Sequence, residues 1–416
     1  MRTAFFRQFL RDVRAQKLRL TLTLFGIVWG TVSVALLLAF GEGLRANVLK
    51  EIRGLGENIV IGWPMRTSKP WQGLPRGRQI RVTEEDMDLL AAEIPEISSI
   101  SAEFSTSSVR FRAGRNVIVP QLTGVEPAFG EMRNLIPEAD GRFTNDLDRQ
   151  RRRRCIFLGD ELRTDLFGAE SAVGRYVYLN NVPFLVVGVM REKRQMGMYG
   201  GPDEDHAAIP LSTFQALFGD PYLDDMVVKP RDPSRAEHVK RRINEVLGAK
   251  YRFDPEDSRA VYVWDTIENA RTFLKVMFGI EVFLGIIGGL TLLIGGIGVA
   301  NIMYAAVKQR TQAIGVQMAL GAFRADVMGP IVLEAVAITC VGGAAGIAAG
   351  WGIVQGLGFV QGHVESQAME FIGTPTFSLP IAGVTVLILG MTGLLAGYFP
   401  SRRAARVQPA EALRHE

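Results

Sequence analysis

Residues 20–41 read LTLTLFGIVWGTVSVALLLAFG, Leu20 to Gly41, without a single Asp, Glu, Lys or Arg. These 22 residues make a helix roughly 33 Å long at 1.5 Å per residue, which matches the hydrocarbon core of a bilayer. Val282–Val307 is likewise uncharged, and Ala335–Ser401 is broken only by Glu365 and Glu370, with His363 nearby. A purely soluble chain is therefore excluded. The basic residues Arg2, Arg7, Arg11, Arg14, Lys17 and Arg19 followed by an apolar run also describe a signal peptide. Here the run is too long and Leu38–Glu42 lacks a small-x-small cleavage site, so an uncleaved anchor is expected. The two cysteines, Cys155 and Cys340, allow one disulfide at most, and none is expected.

The 416 residues carry 47 Lys and Arg against 43 Asp and Glu, and the placement of the bases orients the spans. The N-terminal segment, Lys308, Arg310 and Arg324 after the second span, and Arg402, Arg403, Arg406 and Arg414 in the tail belong inside; the link 361–378 has no Lys or Arg and belongs outside. The expected organisation is cytosolic 1–19, transmembrane 20–41, extracytoplasmic 42–275, transmembrane 276–306, cytosolic loop 307–333, transmembrane 334–360, outside link 361–378, transmembrane 379–400 and cytosolic tail 401–416. The fold class is a membrane protein of four transmembrane helices with a large α+β domain outside. Both termini lie in the cytosol. Pro330 predicts a kink near the start of the third span.

Within the outside domain, Thr83-Glu84-Glu85-Asp86 resembles a capping box, and Met87, Leu90, Ala91 and Ile94 follow on one helical face up to Pro95. Strands are expected at Ser98–Phe104, Ser107–Arg112, Cys155–Leu158, Asp225–Lys229 and Ala260–Trp264, with a short helix at Glu161–Phe167. Asn180-Asn181 joins a hairpin of Tyr176–Leu179 and Phe184–Val187. Asp232-Pro233 starts a second helix with Val239, Ile243 and Leu247 on its buried stripe, and Gly248 is expected to end it. The region 113–210 is expected to be a mostly β insert.

Several signals favour bland readings. Arg149–Arg154 reads as a solvated loop, with docking of an acidic partner as the alternative. Asp203-Glu204-Asp205-His206 reads as a solvent loop rather than a cation site, since four adjacent residues cannot all face one ion. His206, His238, His363 and His415 are scattered, and no zinc motif or serine-nucleophile elbow occurs, so neither a metal nor a catalytic residue is expected. No Gly-x-x-x-x-Gly-Lys-[Ser/Thr] occurs either. ATP and its Mg²⁺ are therefore expected in a partner ATPase. Nucleic acid is not an expected partner, while membrane lipid is. Apart from Glu281 and Glu334 near span ends, no span carries a charged residue, which argues against an ion-coupled transporter.

Gly279, Gly285, Gly288, Gly289, Gly295, Gly296 and Gly298 crowd the second span, and Gly342, Gly346 and Gly350 recur at four-residue spacing in the third. Small residues let helix backbones approach, either within the chain or in a dimer. In the loop after the second span, Val307, Ile314 and Met318 share one helical face; Lys308, Gln309, Arg310 and Gln312 face away, and Gly321 stops the helix. Such a helix is membrane-surface packing or a dock for a soluble partner.

Gly295–Met303, Gln309–Ala322, Leu333-Glu334-Ala335, Tyr398–Ala405 and Pro409–Arg414 together resemble the core and C-terminal signatures of MacB/FtsX-type ABC permeases. Thr123-Gly124-Val125, Leu166-Phe167-Gly168, Val173-Gly174-Arg175 and Val187-Gly188-Val189 are similar to that family's MacB-type periplasmic core domain. The resemblance implies a permease subunit in a bacterial cytoplasmic (inner) membrane, driven by a separate homodimeric ABC ATPase. It further implies a second permease chain, identical or different, and an extracytoplasmic adaptor protein. ATP-driven closure then moves the outside domains in export or envelope handling of a toxin, drug, peptide or lipoprotein. The alternatives are an FtsX-type transducer that activates an envelope enzyme such as a cell-wall hydrolase, and a stand-alone sensor. ATPase coupling is expected from Arg310, Ile314, Gly315, Met318, Leu320, Gly321 and Arg324. Helix packing or dimerisation is expected from Gly288, Gly295, Gly298, Asn301, Gly342, Gly346 and Gly350. The family's Glu-Arg-Thr-Arg-Glu-Ile-Gly stands here as Gln309–Gly315 with three charges lost, which predicts docking by apolar burial rather than ion pairs.

Overall fold

A computed structural model describes residues 17–406, apart from 196, 362–374 and 377–378. The basic residues before Lys17, the acidic and histidine positions of the 361–378 link and the tail signature 409–414 lie outside the described residues. The chain divides into a membrane unit, Met1–Asn47 with Leu274–Glu416, and a sheet domain, Val48–Phe273.

In chain order the first elements are α1 (Lys17–Leu55), β1 (Val60–Pro64), α2 (Glu85–Glu93), β2 (Ile97–Thr106), β3 (Phe111–Ala113), β4 (Asn116–Ile118), β5 (Gln121–Val125), α3 (Pro127–Met132) and α4 (Asp146–Gln150). Next come β6 (Cys155–Leu158), α5 (Asp160–Phe167), β7 (Tyr176–Leu179), β8 (Val182–Val189), β9 (His206–Pro210), α6 (Leu211–Phe218), β10 (Asp225–Pro230), α7 (Ala236–Tyr251) and β11 (Val261–Asp265). The remaining helices are α8 (Thr266–Gln309), α9 (Thr311–Ala319), α10 (Arg324–Gln361) and α11 (Leu379–Ala404).

The domain's strands form one eleven-stranded sheet, β11-β1-β10-β2-β5-β9-β6-β8-β7-β3-β4. Pairing is antiparallel except between β5 and β9 and between β6 and β8. Residues 113–210 are mostly β and belong to this sheet. Strand β5 pairs β2 on one side and β9 on the other, so the region extends the same sheet, and it also carries α3, α4 and α5. Alternation of side chains sends Val60, Ile156, Leu158, Met226 and Val228 into one core and Ile61, Phe157 and Val227 into another, as expected for a sheet covered on both faces. Helices α2, α5, α6 and α7 cover the first face through Leu90, Leu162, Phe214 and Ile243. Leu55, Phe129, Met132 and Met190 cover the second.

Local expectations hold in most places. Asn180 and Asn181 both take positive φ, 45° and 71°, as a tight hairpin requires. The Thr83 N–H donates to Asp86 Oδ2 at 2.8 Å, which is half of a capping box; the Thr83 hydroxyl also points to Asp86 instead of the backbone. Gly248 does not end α7. The helix continues to Tyr251, and Arg252 takes the left-handed conformation. Gly248 is buried, and an added Cβ would stand 3.0 Å from the Phe253 carbonyl oxygen, so the missing side chain permits close packing. Residues 107–110 are not strand, because β2 runs to Thr106 and β3 starts at Phe111.

Among the described residues four helices are long and apolar enough to cross a bilayer, Thr21–Leu55, Thr266–Gln309, Arg324–Phe359 and Ala382–Ala404. The expected spans lie within α1, α8, α10 and α11, but these helices run further. Residues such as Glu42, Arg45, Lys50 and Glu51 are good helix formers and give no reason to stop. Pro330 lies within α10. Ile27, Val34, Leu292, Val299, Met303, Ile331, Ile338 and Leu389 form one core among the spans.

Candidate functional site

The loop expected to hold one amphipathic helix is an elbow. Helix α8 runs to Gln309, Arg310 leaves helical geometry at φ −99°, ψ 7°, and α9 begins at Thr311. Thr311 Oγ1 donates to the Val307 and Lys308 carbonyls, 3.1 and 2.9 Å away. Arg310 Nη1 lies 3.3 Å from Glu334 Oε2, which ties the break to α10. Gly321 follows α9 at φ +92°, a region that favours glycine. The Phe323 N–H donates to Asp326 Oδ2 at 3.0 Å, fixing the start of α10.

The site residues divide by exposure. Val307 and Ile314 are buried in the membrane unit's own core, Gly315 is buried, and Met318 is half-buried against the same core. Their apolar face is therefore already covered and offers little to a partner. Leu320 is 84 % exposed and Phe323 78 %; Val316, Gly321 and Arg324 are exposed as well. Phe323 was missed by sequence reasoning because it stands beyond the glycine taken as the stop. The Arg310–Glu334 pair was missed because its members are 24 positions apart on different helices.

The glycine stripe serves packing within the chain. A Cβ on Gly342 would stand 2.8 Å from Ile27 Cγ2, one on Gly346 2.5 Å from Thr31 Cβ, one on Gly350 3.3 Å from Ala35 Cβ and one on Gly288 2.9 Å from Val34 Cγ2. Gly295 faces the α1 backbone at Gly26 and Ile27 more loosely, at 3.7–3.9 Å. Gly298 meets nothing within 4 Å, and Asn301 is exposed. Of the seven positions, these two remain on the surface.

The sheet domain corrects the reading of the Asp203–His206 segment. Asp203 is not in a solvent loop: it is buried, with Arg133 Nη2 at 2.7 Å and Lys193 Nζ at 2.6 Å. The Arg133 guanidinium also stacks on Tyr199, 4.6 Å from its ring centroid, and the Tyr199 hydroxyl donates to Glu103 Oε2 at 2.7 Å. Glu103 faces Asp225 across adjacent strands. A cavity of ≈ 20 Å³ lies among Glu103, Arg133, Tyr199, Asp203 and His206. Burial pushes the Asp203 pKa up, but Arg133 and Lys193 outweigh it and hold the carboxyl below its ordinary range. Burial raises Glu103, and burial together with Glu103 raises Asp225 well above the ordinary range. Among Arg149–Arg154, the four from Arg151 to Arg154 are exposed; Arg149 pairs with Glu84 at 2.7 Å and Arg153 with Asp148 at 3.4 Å. Glu237, Asp265 and Glu268 bring carboxylates within 4.8 Å of one another. Asp265 Oδ1 is engaged there by the Ile267 and Glu268 N–H groups at the start of α8.

Residues 20–246 match the family described as MacB-like periplasmic core domain, and residues 285–409 match the FtsX-like permease C-terminal family. The macrolide export ATP-binding/permease protein MacB of Wolinella succinogenes is 32% identical over 413 residues, covering 98% of this chain and 60% of that protein. The pyoverdine export ATP-binding/permease protein PvdT of Pseudomonas syringae pv. syringae is 32% identical over 406 residues, covering 96% of this chain and 57% of that protein. The chain thus spans about three fifths of the length of the first of these relatives. The solved periplasmic region of MacB from Actinobacillus actinomycetemcomitans is 17% identical and superposes at TM-score 0.43, covering 54% of this chain and 97% of that one.

Proposed function

The chain belongs to the permease family that joins a MacB-like periplasmic core domain to an FtsX-like C-terminal region, and on that premise we propose that it is the permease part of an ABC exporter that turns ATP hydrolysis into motion of its sheet domain. The ATP-hydrolysing domain lies outside these residues and docks at the elbow. The membrane is the bacterial cytoplasmic one, with the elbow inside and the sheet domain outside. A second permease chain and an adaptor outside complete the assembly. The substrate class is a drug, toxin, peptide or lipoprotein, in line with the macrolide and pyoverdine exporters among the relatives.

One observation carries the docking site: Leu320 and Phe323 are the most exposed apolar side chains of an elbow whose Val307 and Ile314 are buried. Covering a Leu or Phe side chain is worth roughly 1.5–3 kcal/mol, against about 0–1 kcal/mol for an exposed ion pair. The test is purification from native membranes in mild detergent, with ATP hydrolysis measured on the complex. The Leu320→Asp/Phe323→Asp double variant should insert normally and lose the associated hydrolysis. Retention of full hydrolysis by that variant would refute docking at the elbow, and absence of hydrolysis from the wild-type complex would refute the permease reading.

A further inference from the structure

The buried charge cluster does more than balance itself. The sheet domain begins at Val48, so it includes the last two turns of α1. A helix end leaves its final carbonyls without intrahelical partners, and they carry the negative end of the helix dipole. Here each of the last three is taken by a side chain distant in sequence. Asn134 Nδ2 donates to the Arg53 carbonyl at 3.3 Å, Lys193 Nζ to Gly54 at 2.8 Å, and Arg133 Nη1 to Leu55. Lys193 also donates to the Arg133 carbonyl at 2.8 Å, and both cations share Asp203.

Two glycines make room for this. A Cβ on Gly54 would stand 1.8 Å from the Arg194 carbonyl oxygen, and one on Gly56, at φ +130°, 2.2 Å from that of Met132. Solvent would satisfy these carbonyls without cost, whereas burying two cations costs several kcal/mol per ion unless each is well partnered. Their use here indicates a demand for fixed geometry.

We infer that Arg133, Lys193 and Asp203 form a clamp that fixes the C-terminal end of α1 to the sheet, so that displacement of this helix is carried into the domain. Arg133 and Lys193 act as positioning residues, and Asp203 holds them in register.

Hydrogen exchange on the full chain in lipid nanodiscs tests the clamp. The charge-balanced double variant Arg133→Met/Asp203→Leu removes one cation and one anion together, a change that buried ion pairs often tolerate. Exchange across residues 50–56 should accelerate about tenfold or more, while β2 and β9 stay within about twofold of wild type. Gly54→Ala leaves every charge in place and should loosen the same segment by displacing residues 193–195. Unchanged protection of residues 50–56 in both variants would overturn the clamp, as would equal loss of protection throughout the sheet. Its role in transmission rests on the permease reading, and a second arm separates the two. In the complex that hydrolyses ATP, wild type should show an ATP-dependent change of exchange in the sheet domain that the double variant lacks. No change in wild type would count against the permease reading; the same change in both would count against the clamp as transmitter.

Discussion

Gly346 lies so close to Thr31 that a β-carbon on the glycine would stand 2.5 Å from the threonine Cβ and 3.0 Å from the Val28 carbonyl oxygen. In lipid, helix association depends on such close packing, because apolar surface gains nothing by leaving a hydrocarbon solvent. Gly346→Leu should therefore destabilise the membrane unit itself, by about 1–3 kcal/mol from overpacking. Thermal unfolding in detergent reads this directly. Gly298→Leu meets open space and should leave the unfolding temperature unchanged. A lower dimer fraction for Gly298→Leu alone would place a permease–permease contact at that surface; equal loss of stability in both variants would contradict the packing described here.

Asp86 joins α2 to α7 across the first core. Its carboxylate accepts from the Tyr251 hydroxyl at 2.6 Å and the Thr83 N–H at 2.8 Å, and pairs with Lys250. Burial pushes its pKa up, but the Lys250, Thr83 and Tyr251 hydrogen bonds outweigh that and hold it below the ordinary value. A carboxyl lowered in the folded state stabilises above its unfolded pKa of about 3.9, and that stability is lost as pH falls through the folded value. Asp86→Asn should cost about 1–3 kcal/mol at pH 7. The gap between variant and wild type should close progressively in acid. Unfolding curves at several pH values check it, and a gap that persists unchanged in acid would show that packing rather than charge is lost.

What could be read from the sequence was what neighbours in sequence decide. The Asn180-Asn181 turn, the helical turn that Asp232-Pro233 opens ahead of α7 and the span cores each depend on a handful of adjacent residues, and each is where the pattern puts it. Asp203 was misread because its partner Arg133 is 70 positions away, and an acidic tetrapeptide looks the same in solvent as in a core. Gly248 was misread because a glycine required for close packing and one required for a helix end leave the same mark. At the elbow, the 3.6-residue period put Val307 and Ile314 on one helical face; Arg310 breaks the helix between them, yet both lie in one core. The period could not tell whether their face meets a partner or the chain's own core, and the core takes it.

Glu103 and Asp225 face each other on β2 and β10 in one register pair. Arg133, Tyr199, Asp203 and Asp224 lie around them. Burial raises both carboxyls above their ordinary range, Asp225 further because Glu103 stands beside it. A raised carboxyl binds more protons folded than unfolded, so its contribution to stability falls as pH rises from about 4 toward the folded value. Asp225→Asn keeps a hydrogen-bonding group without the charge. It should be no more stable than wild type at pH 4, and should gain on it steadily toward neutral pH. Fluorimetric melting temperatures across that range decide the point; a variant that fails to gain on wild type as pH rises would mean the pair does not hold its proton.

Orientation is best tested away from the native thiols. Cys155 is buried, and burial with Asp148 nearby pushes its thiol up to about 12, so scarcely any reactive thiolate exists at neutral pH. Failure to label it would say nothing about which side of the membrane it occupies. Cys340 is exposed on a span helix, where burial in hydrocarbon rather than the side of the membrane decides access. With both replaced by Ala, a single cysteine at Val117 or at Phe323 reports from an exposed position, on β4 and on the elbow respectively. The proposed orientation has the elbow in the cytosol and the sheet domain outside, in line with the Lys and Arg that flank the spans. In intact spheroplasts a membrane-impermeant maleimide should therefore modify Val117→Cys at once and Phe323→Cys only after permeabilisation. The reverse pattern would invert the topology and move the ATPase dock off the elbow. Modification of both without permeabilisation would mean that α8 does not cross the membrane as a single span.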